Sequence, residues 1–356
     1  MPEKFIYIDL DSVNHGILTK FNQINKNDAP SRAQRCLDVN DILFQTVRPY
    51  QMNNLFFELY DGEYVASTGY AQIKSKIVPR FLYYYLHYNK FVNEVLNRCT
   101  GTSYPAINSN DLKKIKIKIP SSSIEQKLIG DLFYKLDQKI ELLKDKYHYY
   151  QDFKKFLMHQ IFAQKLRFNF TDEWKKYLLG DISLIGKGFT PSTNNPSFWD
   201  GDLKWLSIAD MNQGKYINQT TKKITYDGSK NKEPVKKGTL LMSFKLSIGK
   251  LGILTEDMYT NEAICNFKWK NKDVLTEYMY YYLSSINVLK YGSQAAKGIT
   301  LNNETLSTIP VLLPSLEEQK KIINILSDVD MKINMLENSI NDTSKFKKGL
   351  LQQMFI

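Results

Sequence analysis

Residues 124–143, IEQKLIGDLFYKLDQKIELL, recur as residues 317–336, EEQKKIINILSDVDMKINML. From the glutamine at the third position of each segment onward, 13 of 37 aligned positions are identical, at an offset of about 193. The repeat extends upstream, where FLYYYL at residues 81–86 mirrors YMYYYL at residues 278–283. Because an internal repeat decides the architecture, we interpret the chain as two copies of one unit, each a variable domain followed by a helix.

Apolar residues recur in both segments at alternating steps of four and three, which is typical of a coiled-coil helix. The seam of the first copy consists of Ile129, Phe133, Leu136, Ile140, Leu143, Tyr147, Tyr150, Lys154, Leu157 and Ile161. On the same frame, the seam of the second copy consists of Ile322, Leu326, Val329, Ile333, Leu336, Ile340, Thr343, Lys347, Leu350 and Met354. We expect two helices of roughly 55 Å that pair as an antiparallel coiled coil. Two unrelated amphipathic helices, each packed on its own domain, are the alternative.

The composition indicates a globular protein with a polyanionic partner. A length of 356 residues favours two domains. The net charge of +11 and the pI near 9.2 favour DNA or RNA as that partner. Cys36, Cys99 and Cys265 are odd in number and far apart, which fits a reducing compartment and indicates no disulfide or zinc framework. Without a signal peptide or a run of 18 apolar residues, the chain is predicted to be cytoplasmic, with no membrane contact and no metal site.

The segments before the two helices are predicted to be mixed α/β. Short β-rich runs, such as residues 41–47 and 239–244, are separated by turn residues. Each domain also has one aromatic helix, at residues 79–96 and 275–289, whose tyrosine stripe we interpret as core packing, with a base-stacking platform as the alternative. A proline followed by serine marks the start of each long helix: Pro120 with Ser121 to Ser123, and Pro314 with Ser315.

This order of domain, helix, domain and helix resembles the specificity subunits of type I restriction-modification systems over nearly the whole chain. The residues that carry the resemblance around the long helices are 112–120 with Glu125 and Gln126, and 306–314 with Glu318 and Gln319. In the second domain they are residues 174–182, 188–192, 198–199 and 205–208, and in the first domain residues 7–9, 29–33, 40–43 and 46–49. The family implies a non-catalytic subunit with two target recognition domains, each of which reads one half of a split DNA site.

The resemblance also implies a fold and partners. The fold class is α+β, with two mixed α/β target recognition domains, each followed by a long helix, and pseudo-two-fold symmetry. The helix pair would set the gap between the half-sites on double-stranded DNA and dock two methylation subunits, and restriction subunits would join the complex. S-adenosylmethionine, ATP and Mg would belong to those subunits, with no cofactor in this chain. The predicted boundaries are 1–122 and 166–316 for the recognition domains, and 123–165 and 317–356 for the helices.

One departure separates the two domains. The second domain opens with a lead-in of about 30 residues, 174–204. This lead-in has no counterpart in the first domain, because residues 1–7 align with the stretch of the second domain that begins at Trp205. We therefore expect a first domain that is truncated at its N terminus. This expectation keeps open an alternative function, in which the chain is a silent or partly disabled specificity fragment that acts only as an assembly scaffold.

Loops of both domains offer residues suited to reading DNA, which needs cations on phosphates and planar donors or amides at base edges. In the first domain the candidates are Arg32, Arg35, Arg48, Gln51, Asn53, Asn54, Thr102, Ser103 and Tyr104. In the second domain they are Lys187, Thr190, Ser192, Lys245, Ser247, Lys250 and Lys297. Arginine can pair bidentately with guanine, and glutamine or asparagine with adenine. For any single residue, a solvated surface role is the alternative.

Catalytic motifs do not support an enzyme. The NPSF sequence at residues 195–198 resembles the loop with which amino-methyltransferases grip a flipped adenine, but it lacks the second proline, and no Gly-rich turn for S-adenosylmethionine precedes it. No G-x-x-x-x-G-K-[ST] loop for ATP occurs. His15, His87, His148 and His159 show no metal spacing. We predict no catalytic residues, and a stand-alone DNA methyltransferase or nuclease is the disfavoured alternative.

Overall fold

Two compact units share the chain. A computed structural model describes residues 1–245, 247–295 and 298–355. Unit 1 consists of Met1–Lys146 and Leu336–Ile356, and unit 2 of Tyr147–Met335. Each unit therefore contains one domain, a part of the first long helix and a part of the second.

Unit 1 is built on two small sheets. Its strands are β1 (Lys4–Ile8), β2 (Val13–Asn14), β3 (Ile17–Leu18), β4 (Asn22–Asn25), β5 (Ala33–Cys36), β6 (Ile42–Gln45), β7 (Leu55–Phe56), β8 (Tyr64–Ser67) and β9 (Tyr70–Ile73). Its helices are α1 (Pro79–Tyr85), α2 (Asn89–Leu96), α3 (Ser109–Lys113) and the first part of α4 (Ser123–Phe162). One sheet has the order β4-β1-β8-β5, with β1 parallel to β8. The other is antiparallel, in the order β7-β6-β9, and β2 and β3 form a hairpin.

Unit 2 repeats this plan with more strands. Its strands are β10 (Lys175–Leu178), β11 (Ser183–Lys187), β12 (Trp199–Leu206), β13 (Tyr216–Ile217), β14 (Lys222–Ile224), β15 (Leu240–Ser243), β16 (Leu251–Leu254), β17 (Tyr259–Thr260), β18 (Ile264–Trp269), β19 (Ser293–Ala295), β20 (Gly298–Thr300) and β21 (Pro310–Leu313). Its helices are α5 (Leu179–Ile182), α6 (Tyr226–Ser229), α7 (Thr276–Ser285), α8 (Asn303–Ser307) and the first part of α9 (Leu316–Met354). The main sheet has the order β11-β18-β15-β16-β13, beside a sheet β14-β12-β17 and the pairs β10-β21 and β19-β20.

The two long helices run antiparallel. In unit 1, Asp137 near the start of α4 forms an ion pair with Lys347 near the end of α9. In unit 2, Lys154 near the end of α4 lies 2.6 Å from Asp330 near the start of α9. With 40 and 39 residues at 1.5 Å per residue, each helix is about 60 Å long. The prediction of an antiparallel helix pair is confirmed.

Burial along the seam follows the predicted heptads, and part of it comes from the hydrophobic cores of the two units. Ile129, Ile322 and Val329, in the first turns of their helices, belong to the hydrophobic cores of their own units. Farther along, Ile140 and Leu336 are also buried, whereas three other seam residues, Leu136, Leu143 and Ile333, are half-buried. The alternative of helices packed on their own domains thus describes the first turns of each helix.

Both long helices begin as the serine pattern predicts. The hydroxyl groups of Ser122 and Ser315 accept hydrogen bonds from the backbone N–H groups of Glu125 and Glu318, each at 3.3 Å. Such N-terminal serine caps satisfy backbone donors that the helix itself leaves unpaired.

A glutamine contact shows the internal repeat in three dimensions. Gln126 and Gln319 are buried, one turn into each long helix. The Oε1 atom of Gln126 accepts from the backbone N–H of Val78 at 3.1 Å, and Oε1 of Gln319 accepts from that of Leu275 at 3.0 Å. Both acceptors therefore hold the N terminus of the aromatic helix, α1 or α7, against the start of the long helix.

The predicted aromatic helices are present, and their tyrosine stripe packs in the core. The first is divided, since α1 ends at Tyr85 and α2 begins at Asn89. Tyr84, Tyr278 and Tyr281 are at most 3% exposed. The prediction of core packing is confirmed, because rings buried to this degree cannot stack on bases.

Candidate nucleic-acid interface

A groove on unit 1 brings together five of the residues predicted to contact DNA. It has a volume of about 890 Å³. The predicted residues that line it are Arg32, Arg48, Gln51, Asn53 and Tyr104. These residues come from three separate stretches of chain, the residue before β5, the turn after β6 and the loop before α3, which the fold brings to one side of the unit. Their convergence is the strongest feature of the site.

Arg48 is held by its backbone and by an aromatic ring. Its φ angle of 55° lies in the left-handed region, which non-glycine residues rarely adopt and which costs about 1 kcal/mol or more. The N–H of Arg48 donates to the carbonyl oxygen of Pro105 at 2.8 Å. Its guanidinium carbon lies 4.3 Å from the ring centroid of the exposed Tyr104. A stacked guanidinium keeps its planar donors in a fixed direction, which suits bidentate pairing with guanine.

A buried glutamine organises the turn after β6. Gln45 is 2% exposed, and its Nε2 group donates to Oε1 of Gln51 at 2.8 Å. Its Oε1 atom accepts from the backbone N–H of Asn53 at 3.1 Å. The side-chain oxygen of Asn53 accepts from the backbone N–H of His15 at 3.0 Å, which ties the turn to the β2–β3 hairpin. Both candidate amides are therefore positioned by hydrogen bonds.

Two of the predicted contacts lie elsewhere. Asn54 is 1% exposed, and its Oδ1 atom accepts from the backbone N–H of Gln45 at 2.9 Å. Its amide group therefore stabilises the turn from the interior of the unit. Arg35 lies on β5 and lines a different, apolar groove. Among the described residues, its buried Nε atom has no hydrogen-bond partner. Thr102 and Ser103 are exposed in the same turn as Tyr104, at the edge of the interface.

A half-buried histidine supports Asn54 in turn. Nδ1 of His87 lies 2.8 Å from the carbonyl oxygen of Tyr83 and must carry the proton to bond it, so Nε2 accepts from the amide of Asn54 at 3.4 Å. Burial lowers the pKa of His87 to about 4, so the ring is neutral at physiological pH. This support was not predictable from a lone histidine in an aromatic helix.

Three charged residues of the groove were not among the predicted contacts. Asp9, Asp11 and Lys20 also line the groove. The β2–β3 hairpin and its flanks bring them there. Carboxylates can accept from cytosine N4, and a lysine suits a phosphate, so the groove contains both types of contact group.

In unit 2, the predicted contacts occupy two loops that meet at one turn. Lys245, Ser247 and Lys250 lie between β15 and β16, the position that the Arg48 loop takes between β6 and β7 of unit 1. Lys250 Nζ donates to Oδ1 of Asn212 at 2.7 Å. The Lys245 ammonium lies 5.8 Å from the ring centroid of its neighbour, Phe244.

The second loop follows β11, which ends at Lys187, and carries Thr190 and Ser192. Asn261 Nδ2 donates to the Thr190 hydroxyl at 2.9 Å, and that hydroxyl also bonds Glu262. The same turn joins the first loop, because its Ala263 carbonyl accepts from the backbone N–H of Phe244 at 3.0 Å. Lys187 and Ser192 are exposed. Lys297, the remaining predicted contact, lies outside the described residues.

Within the part of the chain that the structure describes, no helix combines the length and apolar character that crossing a bilayer requires. Nor do those residues include a cluster of three or more His, Cys, Asp or Glu side chains that could hold a metal ion.

Comparison with known proteins agrees with this arrangement. The HindI specificity subunit of the type I restriction enzyme of Haemophilus influenzae is 22% identical over 402 aligned residues, which cover 89% of this chain and 86% of that protein. Two solved structures, the HsdS subunit from Thermoanaerobacter tengcongensis and the type I S subunit from M. genitalium, share the fold with TM-scores of 0.54 and 0.60 at 20% and 15% identity. Each similarity covers 99% of this chain, and 90% and 88% of those chains, respectively.

A family model describes the type I restriction modification DNA specificity domain, and it matches residues 7–149 and 171–343. The two matches contain both domains and most of both long helices. The chain therefore belongs to the family of type I restriction-modification DNA specificity subunits.

Proposed function

We propose that each unit reads one half of a split site on double-stranded DNA, without catalytic residues of its own. The observation that carries this proposal is the repeated position of the candidate contacts. In unit 1 they follow β6, and in unit 2 they follow β15, so the same strand end presents variable polar residues in both copies. A subunit of this kind would work in the cytoplasm, where the DNA lies.

In unit 1, Arg48, Gln51 and Asn53 are the proposed base readers. Each has a planar donor or amide group positioned by a neighbouring side chain or backbone. Arg32 and Lys20, which line the same groove, would neutralise phosphates and supply affinity that depends on salt. In unit 2, lysines dominate the candidate set, and lysine is suited to phosphate contact more than to bidentate base reading.

The long helices are the proposed ruler and docking surface. Their pairing would fix the distance between the two half-sites, since helix length is set by residue number. Large apolar side chains are exposed on them, among others Ile124, Leu128 and Leu142 in unit 1, and Tyr149, Phe156, Met331 and Met335 in unit 2. Contiguous exposed apolar residues mark surfaces that another protein covers. We assign these faces to two methylation subunits, which would bring S-adenosylmethionine, with restriction subunits bringing ATP and Mg.

Methylation mapping tests this function. The chain is co-expressed with a cognate methylation subunit, and N6-methyladenine is read at base resolution. The proposal expects a split motif with two defined halves and a fixed gap. A motif with one defined half would support the alternative of a partly disabled specificity fragment. An assembled complex that methylates nothing beyond the control would support the assembly scaffold.

A matched pair of variants tests the assignment of the contacts. Arg48→Ala removes a proposed bidentate contact, worth about 1–3 kcal/mol of discrimination, so one base of one half-site should lose its specificity and affinity should fall about tenfold or more. Lys245→Ala removes a proposed phosphate contact, so affinity should fall less, equally for all sequences, with a salt slope smaller by about 1. Both are measured by fluorescence anisotropy of DNA with the assembled complex. Equal effects of the two substitutions would contradict the assignment.

A further inference from the structure

The side-chain amides of Gln51 and Asn53 each have a donor end and an acceptor end. Which base such a group reads depends on the end that faces the DNA. The bidentate contact with adenine needs both ends at the base edge, since the oxygen accepts from the amino group N6 while the nitrogen donates to N7. Hydrogen bonds inside the turn after β6 determine which end is free.

Gln45 has an orientation that two backbone groups determine. Its Oε1 atom accepts from the backbone N–H of Asn53 at 3.1 Å, and its Nε2 group donates to the backbone carbonyl of Val47 at 2.8 Å. Backbone groups cannot exchange these roles, because an N–H only donates and a carbonyl only accepts. The two ends of the Gln45 amide are therefore assigned without ambiguity.

The orientation of Gln45 in turn determines that of Gln51. One N–H of the Gln45 Nε2 group is taken by Val47, and the other donates to Gln51 at 2.8 Å. The Gln51 atom at this place must be an acceptor, so it is Oε1, and the NH₂ group is the end left for a base. Gln45 is 2% exposed, so water competes little for the bond, whereas Gln51 itself is exposed.

Asn53 is oriented in the same sense by the β2–β3 hairpin. Its Oδ1 atom accepts from the backbone N–H of His15 at 3.0 Å, so its NH₂ group is the free end. Asn53 lines the same groove as Gln51 and Arg48. The guanidinium group of Arg48 has donors only. All three proposed readers thus present hydrogen-bond donors to the groove, and both amide oxygens are engaged within the fold.

The equivalent position in unit 2 shows what the glutamine adds. Ser243 ends β15 as Gln45 ends β6. The Ser243 hydroxyl accepts from the backbone N–H of Lys250 at 3.0 Å and bonds the carbonyl oxygen of Ser247. Both contacts hold the loop backbone. Gln45 holds the backbone of its own loop in the same way, and its longer side chain also reaches the amide of Gln51.

We propose that Gln51 and Asn53 read hydrogen-bond acceptors of bases, guanine N7 and O6 or thymine O4, and do not accept from the amino group of adenine. Gln45 is a positioning residue for this preference, because it holds the oxygen of Gln51 inside the turn. The inference rests on the proposed function, since it applies only if the turn after β6 faces the major groove.

Base analogues test which group of the DNA is read. Gln51→Met keeps the side-chain length and removes the amide, so the position of the half-site that it relaxes is the one that Gln51 reads. At that position, unsubstituted purine for adenine, or pyrimidinone for cytosine, removes an amino group and should leave binding by the parent complex unchanged. Removal of an acceptor, with 7-deazaguanine, aminopurine for guanine or pyrimidinone for thymine, should weaken it about fivefold. The same DNAs with the Gln51→Met complex correct for effects on the duplex.

Two isosteric substitutions should reverse the polarity of the reader. Gln51→Glu keeps one oxygen for Gln45 and places the other where the NH₂ group was. Gln45→Glu still accepts from Asn53 but faces Gln51 with an oxygen, so the Gln51 amide should turn its own oxygen outward. Adenine N6 takes the place of guanine O6, and cytosine N4 that of thymine O4. Each variant should therefore shift the preference from guanine to adenine, or from thymine to cytosine, by about tenfold in the ratio of affinities.

The ratio separates positioning from a merely structural role. An added charge or a loosened turn weakens binding to all sequences alike and leaves the ratio unchanged. If Gln45→Glu fails to fold, Gln51→Glu at its exposed position still decides.

The proposal is overturned if the parent complex depends on the amino group, if Gln51→Met relaxes no position, or if Gln51→Glu shifts no preference. In these cases the split motif would remain, and the proposed function would stand. A complex without any base preference in the half-site of unit 1 would contradict the proposed function itself, and this inference with it.

Discussion

The two units repeat one contact and differ in what surrounds it. A Tyr–Asp–Lys contact is present in each: Tyr84, Asp137 and Lys347 in unit 1, and Tyr281, Asp330 and Lys154 in unit 2. The hydroxyl donates to the carboxylate at 2.8 Å in unit 1 and at 2.6 Å in unit 2. Since α4 supplies the aspartate in one unit and the lysine in the other, the repeat is preserved by an exchange of partners between the long helices.

The surroundings of this contact have diverged in two ways. His87 of unit 1 and Ser284 of unit 2 stand at equivalent positions, and each lies within hydrogen-bond distance of the carbonyl oxygen four residues earlier, but the histidine is half-buried and the serine is exposed. Glu318 is buried with Arg167 and Trp174 bonded to it, whereas Glu125 is exposed. The junction between domain and helix is thus the constant part, and the layer around it is free to vary.

The largest expected difference between the units is their response to acid. The folded-state pKa of His87 is about 4, below the value of about 6.5 for an unfolded histidine. The unfolded chain therefore binds the proton first. The free energy of unfolding of unit 1 has its full value above pH 6.5 and decreases as the pH falls toward 4. The loss is on the order of 3 kcal/mol. Urea unfolding followed by pulsed hydrogen exchange in α1 should show this loss of stability. The same measurement in α7 of unit 2 should not show it.

The control is His87→Ser, which copies Ser284 of unit 2. This variant is expected to be less stable than the parent at pH 7 but to lose less further stability between pH 6.5 and 4. Asp137 raises and Lys347 lowers the pKa of His87, and both remain in the variant. If parent and variant change in parallel with pH, the histidine is not the acid-sensitive group of unit 1.

The second difference is the cost of removing the equivalent glutamates. Glu318→Ala should reduce the stability of unit 2 by about 2 kcal/mol, because the carboxylate is buried and its loss leaves Arg167 and Trp174 without their acceptor. Glu125→Ala should change unit 1 by about 0.5 kcal/mol or less, as is usual for an exposed side chain. All four tryptophans lie in unit 2, so their fluorescence in urea reports that unit. Equal costs would mean that the Glu318 contact is not buried in solution.

The repeat and the heptads were enough to predict the helix pair from sequence. Spacing alone fixes which face of a long helix is apolar, and the predicted first helix, residues 123–165, differs from the observed Ser123–Phe162 by three residues. The seam also contained two charged exceptions, Lys154 and Lys347. Their aspartate partners on the other helix could not be identified from spacing, because ion pairing depends on the register between helices.

The candidate site was only partly predictable. Loop composition identified Arg48, Gln51 and Asn53, but it also selected Asn54, whose amide is turned inward to the backbone of Gln45. Whether a loop amide points outward depends on the backbone, here on left-handed residues at 48 and 52, and one sequence does not reveal these.

The smallest expected difference concerns the repeated contact itself. Lys154→Met and Lys347→Met each remove a cation and retain the side-chain length. The pair Lys154–Asp330 has side chains 24% and 22% exposed, and the pair Lys347–Asp137 has 24% and 39%. Because water screens the second pair more, Lys154→Met should cost about 1 kcal/mol and Lys347→Met about half of that.

Tryptophan fluorescence in urea measures the loss of stability caused by Lys154→Met. Hydrogen exchange in α1 measures the loss caused by Lys347→Met. The double substitutions Lys154→Met with Asp330→Leu, and Lys347→Met with Asp137→Leu, are the matched controls, since each removes the stranded carboxylate together with the lysine. If the stranded aspartate is the cause of the loss, each double variant should recover part of the stability of its single variant, with more recovery in unit 2. Recovery that is equal in both units would show that exposure does not set the strength of this contact, and that the two copies are equivalent in energy as well as in geometry.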